Sequence, residues 1–215
     1  MSRHKLRRFA ELKTFQNTFE FPIEMKGKWD PIYFKNKLPI VLELGCGRGE
    51  YTVGLSGQIH DKNFIGIDLK GARLWKGAKT CFEEKRSNAA FIRSRIELID
   101  QYFDKGEVSE IWITFPDPQP KDRWEKKRLT AANYLDIYRK IMSPKGIIHL
   151  KTDSTFLFEY TFELVKSMGL KILFSHPDIY SLSEIKPEWQ IETKYERMFK
   201  LKGETIKYLQ FAINP

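Results

Sequence analysis

Only two cysteines, Cys46 and Cys81, occur in this chain of 215 residues. So few, so far apart, exclude a disulfide framework and a zinc site of the C-x-x-C type, and no metal is expected. Long hydrophobic runs are lacking too. The basic start Met1-Ser2-Arg3-His4-Lys5-Leu6-Arg7-Arg8 continues into Phe9-Ala10-Glu11-Leu12-Lys13 without an apolar stretch resembling a signal peptide or membrane span. A soluble, cytoplasmic protein is expected, with no membrane partner. Internal repeats and low-complexity segments are absent from the sequence. Acidic residues are in deficit: 28 Asp and Glu stand against 37 Lys and Arg, a formal charge of +9. An excess of that size favours a polyanionic partner through counterion release, and nucleic acid is the leading candidate.

What is present suffices for one substantial core, since 41% of residues are hydrophobic. From Leu38 onward, short apolar β-rich runs alternate with segments of helical period, which predicts an α/β domain over residues 38–215 with a mostly parallel, Rossmann-like sheet. Strands are predicted at 40–44, 63–69, 90–94, 110–115 and 146–152. Helices are predicted near 49–56, 72–85, 96–103, 130–142 and 154–168. After Met168 the alternation stops. Lys171 to Ser175 reads as a strand, and 195–201 and 205–213 flank the turn signal Lys202-Gly203-Glu204, predicting an antiparallel C-terminal element. Residues 1–37, rich in charge and aromatics without clean periodicity, read as a basic extension that wraps the domain or meets a partner.

The most informative stretch is Val41-Leu42-Glu43-Leu44-Gly45-Cys46-Gly47-Arg48-Gly49-Glu50, an apolar strand entering three alternate glycines and then a helix. Glycine lets backbone approach a ligand where a Cβ would clash and permits the positive φ of a tight turn. A nucleotide site follows. The dinucleotide fingerprint spaces its glycines G-x-G-x-x-G to hold pyrophosphate, whereas here the third glycine comes one residue early, which disfavours a nicotinamide oxidoreductase. Glu43 inside the apolar strand needs a cation or donors. S-adenosylmethionine, a nucleoside without phosphates that carries a sulfonium, suits an acidic strand end. A structural Glu accepting N–H bonds from the glycine loop is compatible with the same position. Asp68 ends the second strand about 20 residues beyond the glycines, where a ribose-binding acid belongs.

Together these residues resemble the class I S-adenosylmethionine methyltransferases. Such enzymes commonly carry an Asp after the third strand, where this chain has Arg95, so the adenine contact there falls to backbone N–H or to Glu97. The fourth strand ends Phe115-Pro116-Asp117-Pro118-Gln119-Pro120-Lys121, and two prolines fix φ on either side of Asp117. With the basic run Asp122-Arg123-Trp124-Glu125-Lys126-Lys127-Arg128, then Thr152-Asp153, then Thr193-Lys194-Tyr195-Glu196, the chain resembles the bacterial tRNA guanine-N7 methyltransferase family from about Arg7 to its C-terminus. Gln119 is a departure, since many relatives have Trp there.

The resemblance implies methyl transfer from S-adenosylmethionine to N7 of a guanosine in the tRNA variable loop. It implies that Asp117 is the catalytic acidic residue and a cofactor contact, with Glu43, Gly45, Gly47, Asp68 and Arg95 also at the cofactor. Lys121, Asp153, Thr193, Lys194, Tyr195 and Glu196 would form the substrate pocket, and Arg123, Trp124, Lys126, Lys127 and Arg128 would meet RNA. The alternatives are a methyltransferase of another RNA base or of protein, and a non-catalytic RNA-binding protein of this fold.

Overall fold

The computed structural model describes residues 3–214. Eight strands form one sheet: β1 (Thr18–Glu20), β2 (Ile40–Leu44), β3 (Asn63–Asp68), β4 (Ala89–Arg93), β5 (Val108–Thr114), β6 (Met142–Thr152), β7 (Ile172–His176) and β8 (Lys207–Ala212). Their spatial order is β1-β4-β3-β2-β5-β6-β8-β7. The run from β1 to β6 is parallel, and β8 pairs antiparallel with both β6 and β7. The expected α/β class with an antiparallel C-terminal element is what the chain adopts. Helices are α1 (Arg3–Leu12), α2 (Glu50–Gln58), α3 (Gly71–Glu83), α4 (Ala132–Ile141), α5 (Thr155–Ser167) and α6 (Lys194–Lys200).

The central strands are buried on both faces, as parallel strands covered by helices must be. Their two-residue period sends Leu42, Leu44, Ile65, Ile67, Ile111 and Ile113 into the larger core cluster. Val41, Phe64 and Trp112 enter a second cluster with Tyr51 of α2 and Tyr208 of β8. Glu43 shares the parity of Val41, so it faces α2.

Three segments differ from the sequence expectation. Ile96–Gln101 is a 3-10 turn rather than an α-helix. Ile96, Ile99 and Tyr102 fall three residues apart, and the i→i+3 bonds from Leu98 N to Arg95 O and from Tyr102 N to Ile99 O follow that spacing. The stretch from Tyr195, read as a strand for its aromatic residues, is the helix α6. Thr193 Oγ1 caps it by accepting Glu196 N–H at 3.0 Å, and the cap outweighs the β propensity of Tyr195 and Phe199. Residues before 38 contribute to sheet and core. β1 extends the sheet beside β4, and Trp29 is fully buried, stacked on Phe103 with its Nε1–H donated to Tyr102 O at 2.9 Å.

The chain lays β2, β3 and β4 outward in one direction, then returns to place β5 and β6 on the other side of β2. The order reverses between β2 and β5. In open sheets of this kind, ligands bind outside the carboxyl ends of the strands at that reversal, where Gly45, Asp68, Phe115 and Asp153 directly follow or end their strands.

Candidate active site

Leaving β2, the backbone turns through Gly45, Gly47 and Gly49 with φ of +71°, +56° and +69°. Gly45 and Cys46 both donate N–H to Ile67 O, at 2.9 and 3.0 Å, which ties the loop to β3. The glycines serve two ends. A Cβ at Gly49 would lie 2.5 Å from Phe91 Cε1 and 3.3 Å from Gly77 Cα, so this glycine seats α2 against α3. At Gly45 a Cβ would meet only Leu129 Cδ1 at 3.7 Å, and at Gly47 only Gly45 O at 4.0 Å. That side of the loop is open space, and Gly45 is exposed on it.

Asp68 closes the same side. Its Oδ2 accepts Gly47 N–H at 2.9 Å and its Oδ1 accepts Lys70 N–H at 2.6 Å. The carboxylate is held by two backbone donors while still half-exposed at the crevice edge. Arg95 follows β4 in extended conformation with an exposed side chain. Glu97 is also exposed and accepts Tyr134 Oη–H at 3.0 Å.

Glu43 needs a cation or donors, and within the protein donors meet it. Its Oε2 accepts Thr52 N–H at 2.8 Å and Thr52 Oγ1–H at 2.5 Å, and its Oε1 accepts Thr114 Oγ1–H at 3.2 Å. The donors come from α2 and β5, not from the glycine loop. Burial raises its pKa from 4.5 to about 7, against the opposing pull of the Thr52 and Thr114 hydrogen bonds. An acid whose folded pKa is raised adds stability that is complete below about pH 4.5 and is lost as pH rises towards 7. The shift corresponds to roughly 3 kcal/mol. Glu43→Gln removes this titration. Urea unfolding should therefore show the difference between wild type and variant moving in the variant's favour by up to about 3 kcal/mol between about pH 5 and pH 8. A difference that does not change with pH contradicts the assignment.

The turn after β5 is conformationally demanding. Phe115 and Gln119, neither of them glycine, adopt φ of +48° and +47° on either side of Pro116-Asp117-Pro118, a backbone that persists only where surrounding contacts over-determine it. Those contacts are visible. Phe115 N–H is donated to Lys151 O at 2.8 Å, Gln119 N–H to Asp117 Oδ1 at 3.2 Å, and Arg128 Nε–H to Gln119 O at 3.1 Å. The Asp117 side chain is exposed.

Arg128 is not the surface cation that its place in a basic run suggested. It is 3% exposed, and its guanidinium lies 4.7 Å from the Phe156 ring centre and 4.3 Å from that of Tyr160. Lys121, Arg123, Lys126 and Lys127 are exposed along and before the 3-10 turn Asp122–Lys127. The Trp124 ring is half-buried, with Lys121 Nζ, Arg123 Cζ and Lys127 Nζ within 4.9, 5.3 and 5.9 Å of its centre.

The Thr193-x-x-Glu196 pattern divides in the same way. Lys194 and Tyr195 are exposed, and Thr193 is spent on the helix cap. Glu196 is fully buried, accepting from Lys151 Nζ and from Tyr180 Oη–H, each at 2.7 Å. No face of Glu196 is exposed, and its Oε2 has no hydrogen-bond partner among the described residues. Lys194 N–H is donated to Glu50 Oε2 at 2.9 Å, which sets this segment beside the start of α2. Asp153, half-buried at the end of β6, has its pKa raised by burial. The reading of the sequence missed Lys151, Tyr180, Thr52 and Thr114, because a lone Lys in an apolar strand or a Thr in a helix carries no motif.

Residues 37–209 match a family described as putative methyltransferase. The tRNA (guanine-N(7)-)-methyltransferase of Christiangramia forsetii is 50% identical over 99% of each chain, and that of Bacteroides fragilis 46% identical over 99% of this chain and 87% of its own. The chain belongs to the tRNA (guanine-N(7)-)-methyltransferase family. Solved structures agree on the fold. The 16S rRNA methyltransferase KamB superposes with a TM-score of 0.59 at 14% identity, covering 82% of this chain and 88% of its own. The antibiotic-resistance methyltransferase Kmr gives 0.56 at 16% identity, covering 82% and 87%. The glycine loop, Asp68 and the Asp117 turn lie where the strand order reverses between β2 and β5. Among the described residues, no group of three or more His, Cys, Asp and Glu is placed to hold a metal ion, and no helix is long and apolar enough to cross a membrane.

Proposed function

We propose that this protein transfers a methyl group from S-adenosylmethionine to N7 of a guanosine in tRNA, in the cytoplasm. The observation that carries the reading is the gathering of an open glycine cradle, a backbone-anchored Asp68 and an exposed Asp117 around the sheet reversal, in a chain 50% identical to the tRNA (guanine-N(7)-)-methyltransferase of Christiangramia forsetii.

The cradle fits the cofactor. Gly45 and Gly47 leave the space that any larger residue would fill, Asp68 offers carboxylate lone pairs to a ribose diol, and the extended backbone at Arg95 offers an N–H to an adenine edge. Glu43 supports the loop from below by bracing α2. When bound, S-adenosylmethionine supplies an electrophilic methyl on a sulfonium. Guanine N7 carries an available lone pair, so the protein has no proton to remove before attack, and its task is to position the base. Asp117 accepts guanine N1–H or N2–H, which adenine does not present in the same pattern. Lys121, Asp153, Thr193, Lys194 and Tyr195 border the base, and Arg123, Trp124, Lys126 and Lys127 meet the RNA backbone and bases.

The deciding experiment incubates the protein with unmodified tRNA and methyl-labelled cofactor, then maps product by nucleoside mass spectrometry and borohydride/aniline cleavage. Label in 7-methylguanosine supports the reading; label in another nucleoside or in protein overturns it. Asp68→Ala should weaken S-adenosylmethionine binding by about 1.5–3 kcal/mol, roughly 10- to 150-fold, because charge-assisted hydrogen bonds to the ribose disappear. Calorimetry on the folded variant checks this, and an unchanged dissociation constant removes Asp68 from the cofactor site.

A further inference from the structure

Lys151 is a lysine with no exposed surface, in the middle of a sheet. Its ammonium lies 2.7 Å from Glu196 Oε1, donates to Trp189 O at 2.7 Å and reaches Ile191 O at 3.4 Å. Tyr180 Oη–H completes the cluster on the same carboxylate oxygen. At the backbone the same residue does something else: Lys151 O accepts the N–H of Phe115, the first residue of the strained turn that carries Asp117. A third contact closes the figure, because Phe199 of α6 stacks on Phe115 with ring centres 6.2 Å apart and planes inclined by 20°. Strand β6, the Asp117 turn and α6 are thus joined pairwise, and Lys151 is the corner shared by the two polar links.

A buried ion pair is a poor source of net stability, since hydrophobic residues of the same volume often do as well, while removing one partner strands the other as an uncompensated charge. Its strength lies in fixing a relative placement. We propose that Lys151 is a positioning residue for methyl transfer, holding the Asp117 turn and the start of α6, with Thr193 to Tyr195, in one register, and that Glu196 acts through Lys151 rather than by touching guanine. The significance of that register rests on the function proposed above; the brace itself does not.

The test uses the full chain as Lys151→Met, Glu196→Gln, the double variant and Lys151→Arg. Amide hydrogen exchange read by mass spectrometry should quicken at least tenfold in peptides covering 115–119 and 189–199 of Lys151→Met, while peptides of β2, β3 and β4 keep wild-type protection. In tRNA methylation, Lys151→Met should lose at least tenfold in kcat with S-adenosylmethionine affinity within twofold of wild type. Because Lys151 and Glu196 act as one link, the double variant should lose about as much turnover as Lys151→Met alone, well short of the product of the two single losses. If Lys151→Met fails to fold, the double variant and Lys151→Arg carry the same comparison. Unchanged exchange in both segments overturns the brace. A double variant impaired by the full product of the two single losses overturns the indirect role and makes Glu196 a substrate contact in its own right. If the wild type methylates no tRNA, the proposed function fails, and hydrogen exchange still decides the brace.

Discussion

Asp117→Asn should lower the single-turnover rate of methyl transfer by at least about 100-fold, with S-adenosylmethionine affinity changed only a few-fold. The substitution holds size nearly constant but puts an amide N–H where the carboxylate offers lone pairs, so a donor is set against the N1–H and N2–H of guanine. Misplacement of the base by about 1 Å is enough for a loss of that order. The turn should survive, because Gln119 N–H can still donate to the amide oxygen in place of Asp117 Oδ1. Since N7 carries no proton, the wild-type rate should show no general base titrating near neutrality. A near-wild-type rate in the variant sinks the orienting role. A pH–rate limb near neutrality that disappears in a still-active variant assigns Asp117 to proton transfer instead.

The second large effect separates residues that adjoin in sequence. Arg128→Ala should cost about 2–3 kcal/mol of stability, because it deletes a charge-assisted bond to Gln119 O and a buried cation packed between Phe156 and Tyr160. Methyl transfer should slow at least tenfold as the Asp117 turn loosens, while the salt dependence of tRNA binding stays as in wild type. Replacing exposed Lys126 and Lys127 together by Ala should do the reverse. Thermal unfolding should be nearly unmoved, and the slope of log affinity against log salt should fall by roughly 0.7–0.9 for each phosphate that the protein no longer neutralises. If Arg128→Ala flattens the salt slope without destabilising the protein, its guanidinium faces RNA and the clamp is wrong.

These two cases show what could be read from residues in order and what could not. The alternation from Leu38 to Met168 was legible because the parallel strands are apolar runs with a two-residue period, all but Ala89–Arg93 ending close to Gly, Asp or Pro; Ile40–Leu44 needs no revision. The glycine loop and Asp68 were legible because their spacing reflects a local turn and one crossover. Arg128, Glu196 and Glu43 were not, since burial of a charged side chain depends on partners in other elements of the fold: Gln119 with Phe156 and Tyr160, Lys151, and Thr52 with Thr114. In each case the residue was noticed and its partners were not. The segment before Leu38 was read only as an extension that wraps the domain or meets a partner, because the anchors Trp29 and Phe34 sit five apart on one π-helical turn, a spacing that matches neither the strand nor the α-helix period.

The placement of β8 between β6 and β7 bears on biosynthesis. β7 is made before β8 but has no seat in the sheet until β8 exists, because among the described strands it pairs with β8 alone. A nascent chain that has emerged only as far as His176 therefore presents one open edge at β6 and a second, unpaired strand, both of them templates for association with other chains. Premature termination anywhere between His176 and Lys207 would leave the parallel strands intact and remove the seat for β7. Such fragments should aggregate rather than persist as smaller enzymes.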